Sequence, residues 1–368
     1  MATILHVTQP TEAGVAAYVT ALCRDQMRRG WNVVVACPDD GRIVGDLDRA
    51  GVPRMTWDAT RSPGARSAPE AMRLVRLLDR VGPDVLHLHS SKAGLAGRLA
   101  ARGRLPTLFQ PHGWSWLAAS RGTVRATLTW ERLAARWTTL YVCVGEGEAR
   151  LGDQCGMHGR YAIVPNGVDL EHFQPAEEHD RRDAREILDV PGQAPLAVCV
   201  GRVTKQKGQD TLLAAWPAVR AQRPDALLAI VGAGELREPL RRDAPAGVVF
   251  AGPADDPWPW YAAADVVVLP SRWEGLSLTL LEALAVGRSV VASDIPGIAE
   301  ALPADAGRRV PAGDATALAE AVAYRLTRPD AARAEGAVGA RYATAEADLR
   351  RTHDAMASLT AHVAGWSG

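Results

Sequence analysis

Residues 265–300 read DVVVLPSRWEGLSLTLLEALAVGRSVVASDIPGIAE, and this stretch is the clearest indication of the fold. Its first part, Val266–Leu269, is an apolar run of strand character that stops at Pro270, where a polar loop begins. A helical pattern follows from about Ser277, and a second apolar run at Ser289–Ala292 closes the segment. The order strand, helix, strand predicts one unit of a parallel α/β sheet.

The loop and the helix of this segment carry two glutamates, Glu274 and Glu282, with seven residues between them. The helix N-terminus offers unpaired backbone N–H groups and a partial positive charge, which suits a phosphate. Two carboxylates cannot hold a phosphate themselves, so we expect them to accept hydrogen bonds from sugar hydroxyls. Glu274 lies in the loop and Glu282 one to two turns into the helix, so the two are expected to bind different ends of one ligand.

A glycine-rich turn, G-R-V-T-K-Q-K-G at residues 201–208, follows the predicted strand Leu196–Val200. Lysine occurs only three times in the chain, and two of these residues, Lys205 and Lys207, lie in this turn. Arg202 and Lys207 at a strand end are suited to neutralising a diphosphate leaving group. A solvated basic turn is the alternative, and the neighbouring glutamate segment makes it the less favoured one.

The run I-V-G-A-G at residues 230–234 lacks the third glycine of a dinucleotide-binding fingerprint, because Arg237 takes that place. An NAD site is therefore not predicted. Gly232 is expected to permit a close approach of the backbone.

Strand-like and helical runs alternate along the whole chain, which predicts two doubly wound domains with ligands at the carboxyl ends of the strands. We place the first domain at residues 1–168 and the second at 169–344. An uneven polar stretch at 166–189 separates the strand-and-helix alternation of the two halves. A last helical stretch at 345–368 is expected to return to the first domain. The strands predicted in the first domain are Ile4–Val7, Asn32–Cys37, Val85–His89, Thr107–Gln110, Leu140–Val144 and Ala162–Val164.

The glutamate segment resembles the donor-site signature of the retaining glycosyltransferases of family 4, which have two Rossmann-like domains facing each other across a cleft (the GT-B fold). The family pattern has two glutamates seven residues apart, followed by E-A-x-A-x-G-x-x-V-V-A-S-D, which this chain matches from Glu282. The turn at 201–208 resembles the family's G-R-x-x-x-x-K-G motif. The family more often has Phe-Gly where this chain has Leu276-Ser277, so the sugar-facing surface is expected to differ.

This resemblance implies roles for particular residues. Arg202 and Lys207 would hold the diphosphate of a nucleotide sugar, and Glu282 the ribose hydroxyls. The loop of Glu274, with its neighbours Gly275, Leu276 and Ser277, would hold the transferred sugar and phosphate. Uridine is the predicted base, because UDP is the commonest donor nucleotide of the family.

Two segments of the first domain extend the resemblance. His112 follows a predicted strand in Pro111-His112-Gly113 and matches the family's H-G motif, whose histidine approaches the transferred sugar. A lone histidine is more often structural, and its place at a strand end is what favours the functional interpretation. Gly14 would give a backbone contact to the diphosphate, although the family usually has two adjacent glycines there.

The segment H-S-S-K-A-G-L from His89, together with H-G-W from His112, resembles the branch that builds exopolysaccharide and lipid-linked oligosaccharides. It implies an acceptor hydroxyl on a glycan, a lipid-linked intermediate or a small molecule. The candidate acceptor residues are His89, Ser90, Lys92, Trp114 and Trp116. Downstream, Arg121, Arg125, Arg132 and Arg136 recur at helical spacing, which allows a peripheral membrane contact but is more typical of a solvated amphipathic helix.

Composition excludes other classes of function. The chain has 368 residues, no net charge and 47% apolar residues, which gives no electrostatic case for nucleic-acid binding. Five scattered cysteines without a C-x-x-C pair predict reduced thiols in a cytoplasmic protein and no structural metal. We expect no metal and no cofactor beyond the donor substrate. A nucleotide-sugar epimerase or hydrolase and a non-catalytic nucleotide-sugar-binding protein are the competing hypotheses.

Overall fold

The computed structural model describes residues 2–61, 64, 66–120 and 122–366, and its chain forms two compact units. Unit 1 consists of Met1–Pro165 together with Arg351–Gly368, and unit 2 consists of Asn166–Arg350. The first unit thus ends three residues before the boundary that the sequence suggested. The final helix contributes to unit 1 from Arg351 onward.

Unit 1 is built, within the described residues, on a seven-stranded parallel sheet with the order β3-β2-β1-β4-β5-β6-β7. Its strands are β1 (Thr3–Thr8), β2 (Asn32–Cys37), β3 (Arg54–Thr56), β4 (Val85–His89), β5 (Thr107–Gln110), β6 (Leu140–Cys143) and β7 (Tyr161–Ile163). Its helices are α1 (Ala13–Arg28), α2 (Arg42–Ala50), α3 (Ser67–Val81), α4 (Ser90–Ala101), α5 (Val124–Ala134) and α6 (Glu146–Gln154), followed at the C-terminus by α15 (Leu349–Ala364).

Unit 2 repeats this plan with a six-stranded parallel sheet of order β10-β9-β8-β11-β12-β13 among the residues described. Its strands are β8 (Leu196–Val200), β9 (Leu227–Val231), β10 (Val248–Gly252), β11 (Val266–Leu269), β12 (Ser289–Ser293) and β13 (Gly307–Val310). Its helices are α7 (Glu178–Ile187), α8 (Gln209–Gln222), α9 (Arg237–Arg242), α10 (Trp258–Ala263), α11 (Leu278–Ala285), α12 (Pro296–Ala299), α13 (Ala315–Thr327) and α14 (Pro329–Glu346). The predicted α/β class is confirmed in both units.

Each sheet is covered by apolar side chains on both faces, as parallel sheets require. In unit 1, Leu86 and Leu88 of β4 belong to the core on one face, whereas Val85 belongs to the core beneath α1. Successive residues of a strand point to opposite faces, so His87 and His89 lie on the α1 side. Polar side chains are thus buried in the middle of an otherwise apolar layer.

Two details of local structure were not predicted. The polar stretch 166–189 is not irregular throughout, because α7 occupies Glu178–Ile187 and begins with a capping box between Glu177 and Asp180. The predicted last helical stretch corresponds to α15, which begins at Leu349 rather than at residue 345 because α14 extends to Glu346. The chain turns at residues 347–348, where Val168 and Asp348 form an isolated parallel bridge. No helix in the described part of the chain is long and apolar enough to cross a membrane.

Candidate active site

The loop after β8 carries the predicted cationic residues of unit 2. It begins at Gly201, whose φ of 143° lies outside the range that side chains favour, and ends at Gly208, the N-cap of α8. A Cβ on Gly208 would lie 2.1 Å from the carbonyl oxygen of Pro270, the first residue after β11. Glycine at this position therefore lets the loops of β8 and β11 lie against each other.

Lys207 and Glu274 meet where these two loops touch. The Lys207 Nζ atom lies 2.6 Å from Glu274 Oε1, which also accepts a hydrogen bond of 2.8 Å from the Ser271 hydroxyl. Gln206 Nε2 approaches Glu274 Oε2 at 3.4 Å and donates to the Trp273 carbonyl at 3.0 Å. The lysine and glutamate side chains are 17% and 9% exposed, so solvent and solutes reach the pair.

Arg202 lies in the same loop as Lys207 and contacts the same glutamine. Its guanidinium donates to Gln206 Oε1 at 3.1 Å, and its carbonyl accepts from Gln209 Nε2 at 3.0 Å. The predicted cations and the loop glutamate are therefore joined through Gln206. The sequence analysis did not single out this residue, although it stands inside the matched motif.

Glu282 has different surroundings from Glu274. It lies in α11, five residues after the N-cap Ser277, and its Oε2 accepts a 2.7 Å hydrogen bond from the buried Tyr261 hydroxyl. Burial and the negative charge of Glu282 raise the pKa of Tyr261 well above its usual value, so this hydroxyl stays a donor at neutral pH. The structure thus separates the two glutamates, as the spacing predicted.

Backbone contacts hold the 275–277 loop in place. A Cβ on Gly297, in the first turn of α12, would lie 1.8 Å from the Gly275 carbonyl oxygen, so only glycine allows this approach. Asn166 Nδ2 donates to the Leu276 carbonyl at 2.7 Å. Sequence reasoning missed both residues, although the dipeptides Asn-Gly at 166 and Pro-Gly at 296 mark them as turn positions.

Gly232 permits a close backbone approach, and its neighbour there is the motif loop itself. With φ at 150°, its Cβ would lie 2.0 Å from the Gly201 carbonyl oxygen. The β8 and β9 strand ends are thereby packed against each other behind Arg202.

Unit 1 contains a connected row of histidines beneath α1. His6 Nε2 lies 2.7 Å from Gln26 Oε1, His6 Nδ1 lies 3.0 Å from His89 Nε2, and His89 Nδ1 lies 3.2 Å from His112 Nε2. His6, His89 and Gln26 are fully buried, whereas His112 is partly exposed at the end of β5. His87 stacks beside the row, with its ring centre 4.0 Å from that of His89.

Burial keeps these histidines neutral. It lowers the pKa of His6 to about 4, against a smaller opposing effect of the Gln26 hydrogen bond, and lowers that of His112 to about 3. For His87 and His89 the pKa falls well below the usual value, because burial and the neighbouring imidazoles both disfavour a charge. The row is therefore a hydrogen-bonding element rather than a cationic one at neutral pH.

The loop that holds His112 has an unusual backbone. His112 adopts a φ of 52° and Gly113 one of 98°, both in the left-handed region. The Gly113 amide donates to Glu148 Oε1 at 2.6 Å, and Glu148 Oε2 accepts from the Val144 amide at 2.9 Å. These bonds fix a conformation that costs free energy, a feature common at functional sites.

The other predicted residues of unit 1 differ in their accessibility. Gly14 is exposed in the first turn of α1, and Ser90 begins α4 with a left-handed φ of 68°. Lys92 is buried, and its Nζ atom lies 2.5 Å from Glu70 Oε2. Trp114 and Trp116 lie in the core, where their rings stack with centres 4.7 Å apart. The expectation that Trp114 and Trp116 face an acceptor or lipid does not agree with this placement, because apolar neighbours already cover both rings.

Among the His, Cys, Asp and Glu side chains of the described residues, one group of three, His6, His87 and His89, lies close enough together to hold a metal ion. Their ligand atoms lie within 4.8 Å of one another. The loops that hold Lys207 and Glu274 contribute no residue to this group.

Both halves of the chain match glycosyltransferase family models. Residues 13–172 match "Glycosyltransferase Family 4", and residues 194–328 match "Glycosyl transferases group 1". A GDP-mannose-dependent α-(1-6)-phosphatidylinositol monomannoside mannosyltransferase of Mycolicibacterium smegmatis is 30% identical over 91% of both chains. The chain belongs to glycosyltransferase family 4.

Other relatives of this family 4 glycosyltransferase differ in the donor that their names give. A GDP-mannose-dependent monoacylated α-(1-6)-phosphatidylinositol monomannoside mannosyltransferase of Corynebacterium glutamicum is 32% identical over 68% of this chain and 69% of its own. A UDP-Gal:α-D-GlcNAc-diphosphoundecaprenol α-1,3-galactosyltransferase of Escherichia coli is 32% identical over 73% of this chain and 72% of its own.

Solved structures show the same two-domain fold. Sucrose-phosphate synthase of Thermosynechococcus elongatus aligns over 99% of both chains with a TM-score of 0.84 and 23% identity. HepE of Anabaena, in complex with UDP and glucose, aligns over 98% of this chain and 100% of its own with a TM-score of 0.82 and 19% identity. The α/β fold of two Rossmann-like domains expected from the sequence is confirmed.

Proposed function

We propose that this glycosyltransferase moves a hexose from a nucleoside diphosphate to a hydroxyl group of a lipid-linked or cell-envelope glycan intermediate, with retention of the anomeric configuration. The observation that carries the proposal is the Lys207–Glu274 pair, which Gln206 connects to Arg202. Two cations and one carboxylate lie together at strand ends, where ligands of such sheets bind.

The pair suggests how the donor is received. Glu274 Oε1 forms an ion pair with Lys207 Nζ at 2.6 Å. A diphosphate carries more negative charge and forms charge-assisted bonds, so we propose that it displaces Glu274 from Lys207. The released carboxylate is then free to accept hydrogen bonds from hydroxyls of the transferred sugar, and Ser271 and Gln206 keep it in place.

Arg202 and the N-terminus of α11 complete the charge balance in this proposal. The glycosidic C–O bond to the diphosphate breaks, and the acceptor oxygen forms the new bond to the anomeric carbon on the same face. The acceptor proton goes to the leaving diphosphate oxygen. The cations stabilise that leaving group, and fixed charges of this kind commonly supply the largest part of catalysis.

Glu282 is proposed to bind the ribose. Its carboxylate is oriented by the Tyr261 hydroxyl through one oxygen, Oε2, at 2.7 Å. A carboxylate oriented in this way is suited to accept from the two adjacent hydroxyls of a ribose ring. Unit 1, with His112 and the exposed Gly14, is proposed to bind the acceptor and to contribute to holding the transferred sugar.

The donor base is the part of the proposal that the relatives leave open. Uridine is our prediction, and GDP-mannose is the competing donor because relatives with either nucleotide in their names match this chain. The lipid-linked acceptor follows from the same relatives, whose names contain phosphatidylinositol mannoside and diphosphoundecaprenol.

The test combines binding with turnover. A thermal-shift screen of UDP- and GDP-sugars should find one donor that stabilises the protein by about 2.7 kcal/mol at a hundred times its dissociation constant. With that donor and a polyprenyl-diphosphate sugar, product should form with retention, also in the presence of EDTA. Rapid hydrolysis or epimerisation of donor without acceptor would contradict transfer, and loss of turnover with EDTA would contradict metal independence.

A contact of α5 with the membrane is a further part of the proposal. Arg125, Arg132 and Leu133 are exposed on this helix, whereas Arg121 lies outside the described residues. Co-sedimentation with vesicles of anionic lipid should fall when Arg125 and Arg132 are changed to glutamine. Equal sedimentation of the variant would indicate a solvated helix.

A further inference from the structure

The row of histidines in unit 1 has a direction that can be derived from its contacts. At one end the amide oxygen of Gln26 lies 2.7 Å from His6 Nε2, and an amide oxygen only accepts hydrogen bonds. With the amide in this orientation, His6 carries its proton on Nε2. Because the ring is neutral, His6 Nδ1 has a lone pair and accepts from His89 Nε2 at 3.0 Å.

The same reasoning passes along the row. A neutral His89 that donates through Nε2 has an unprotonated Nδ1, which accepts from His112 Nε2 at 3.2 Å. His112 must then carry its proton on Nε2. Its Nδ1, the ring nitrogen outside the row, is left with a lone pair.

We propose that Gln26, His6 and His89 act as positioning residues that fix the tautomer of His112, so that its Nδ1 accepts a hydrogen bond from a substrate hydroxyl. This inference rests on the proposed function, because the hydroxyl belongs to the transferred sugar or to the acceptor. An imidazole in solution exchanges its proton between both nitrogens, whereas the buried row selects one form. The strained loop at His112 and the edge-to-face contact with Tyr18, with ring centres 5.1 Å apart, hold the ring itself.

A bound metal is the competing explanation for three histidines so close together. It would need lone pairs on both His6 Nδ1 and His89 Nε2, and a neutral His89 would then carry its proton on Nδ1 and donate to His112 Nε2. Metal binding thus predicts the opposite tautomer of His112, with the proton on Nδ1. Rotating the Gln26 amide by half a turn would reverse the row in the same way. The two directions are therefore distinguishable by one observable.

The direct test is ¹⁵N–¹H correlation spectroscopy of the full chain labelled with ¹⁵N-histidine, near pH 7, with metal content measured on the same sample. We expect His112 to show a protonated Nε2 and an unprotonated Nδ1, and to disappear from the spectrum in His112→Asn. A protonated Nδ1, a cationic ring or one tightly bound metal ion per chain would overturn the proposal. This readout needs no turnover, so it stands even if the proposed reaction is wrong.

Variants of Gln26 connect the tautomer to function. Gln26→Leu removes the acceptor that starts the row and should give a mixed tautomer at His112, with a fall in kcat/KM of about two- to tenfold, as for one neutral hydrogen bond. Gln26→Glu keeps an acceptor at this position and should restore the Nε2 tautomer. Thr360→Val, at a buried site of α15 that bonds to the Met356 carbonyl, is the control for general loss of packing.

The effect of Gln26→Leu on donor and acceptor kinetics shows whether the hydroxyl belongs to the transferred sugar or to the acceptor. A hydroxyl of the transferred sugar predicts that Gln26→Leu also slows the residual donor hydrolysis measured without acceptor. An acceptor hydroxyl predicts unchanged hydrolysis and a raised KM for the acceptor. If Gln26→Leu folds and keeps full transfer despite a mixed tautomer, the positioning role is refuted.

Discussion

Each unit contains a lysine–glutamate pair, and the two pairs are almost identical in length. Lys92 Nζ lies 2.5 Å from Glu70 Oε2 in unit 1, and Lys207 Nζ lies 2.6 Å from Glu274 Oε1 in unit 2. They differ in burial, since the first pair is 3% and 0% exposed and the second 17% and 9%. Burial, and not the length of the ion pair, therefore distinguishes a pair that stabilises the fold from a pair whose partner a ligand can replace.

The surroundings support this distinction. Burial alone would raise the pKa of Glu70, but Lys92 and the hydrogen bonds from Thr60 outweigh it and hold that pKa below its usual value. Each buried charge of this pair is therefore stabilised by the other. The Lys207–Glu274 pair lies instead between the loops that follow β8 and β11. There a solute can take the place of either partner of the ion pair.

The largest expected effect is on the stability of unit 1. Lys92→Met leaves Glu70 charged and buried, which should cost about 3–5 kcal/mol in the free energy of unfolding, measured by urea denaturation. Lys205→Met, on an exposed loop, is the control. The double change Lys92→Met with Glu70→Leu should recover most of the loss. If Lys92→Met keeps its stability but loses transfer, Lys92 binds substrate, and the contrast between a structural pair and an exchangeable pair is wrong.

The next effect is on catalysis in unit 2. Lys207→Ala should lower kcat by about 10²- to 10³-fold, because a cation that faces the leaving diphosphate is removed. Its melting temperature should stay close to that of the parent, since the pair is accessible to water. Lys205→Ala is the matched control and should retain full activity. A large loss of stability in Lys207→Ala would show that both pairs are structural.

A smaller effect is expected on the pH dependence of unit 1. The pKa of His6 is about 4 in the folded protein and 6.5 when unfolded, so the unfolded chain gains protons first as the pH falls. Stability is therefore complete above pH 6.5 and is lost between 6.5 and 4, by about 2 kcal/mol at pH 5. The His6→Asn variant should lose less free energy of unfolding between pH 7 and pH 5, whereas His158→Asn on the surface should behave like the parent.

The smallest effect concerns the hydrogen bond that Tyr261 donates to Glu282. Tyr261→Phe should weaken nucleotide binding by about fivefold, near the 1 kcal/mol of a single hydrogen bond, as measured by calorimetry with UDP and GDP. Tyr324→Phe at an exposed site of α13 should bind as the parent does. Unchanged affinity in Tyr261→Phe would separate Glu282 from the nucleotide.

Much of the fold was predictable from the sequence. Val85–His89, Thr107–Gln110 and Val266–Leu269 were predicted with the bounds that the structure shows, because short β-branched or apolar runs between turn residues have few alternatives. Helix α7 was missed because its exposed, highly charged surface gives little apolar periodicity. The start of the last helix was predicted at residue 345, four residues before Leu349, because helical composition continues across residues 347–348 while a backbone bridge interrupts the helix there.

The candidate site was predictable in its charged residues and not in their partners. Arg202, Lys207, Glu274 and Glu282 stand in motifs that local spacing reveals. Tyr261 and Gly297 act on these motifs from other elements of the chain, through contacts that no local pattern encodes. Trp114 shows the opposite error, since an aromatic ring beside a site motif is buried by neighbours that are distant in sequence.

The sequence by itself therefore determined the class of the fold, the family and the charged residues of unit 2, because strand periodicity, glycine turns and motif spacing are local properties. Only the tertiary structure decided which lysine is buried with its glutamate and which is accessible. It alone also joined His6 of β1, His89 of β4 and His112 from the loop after β5 into one row with a direction. Burial and hydrogen-bond direction depend on the residues that meet across the sheet, and these are separated by as many as 83 positions in the chain.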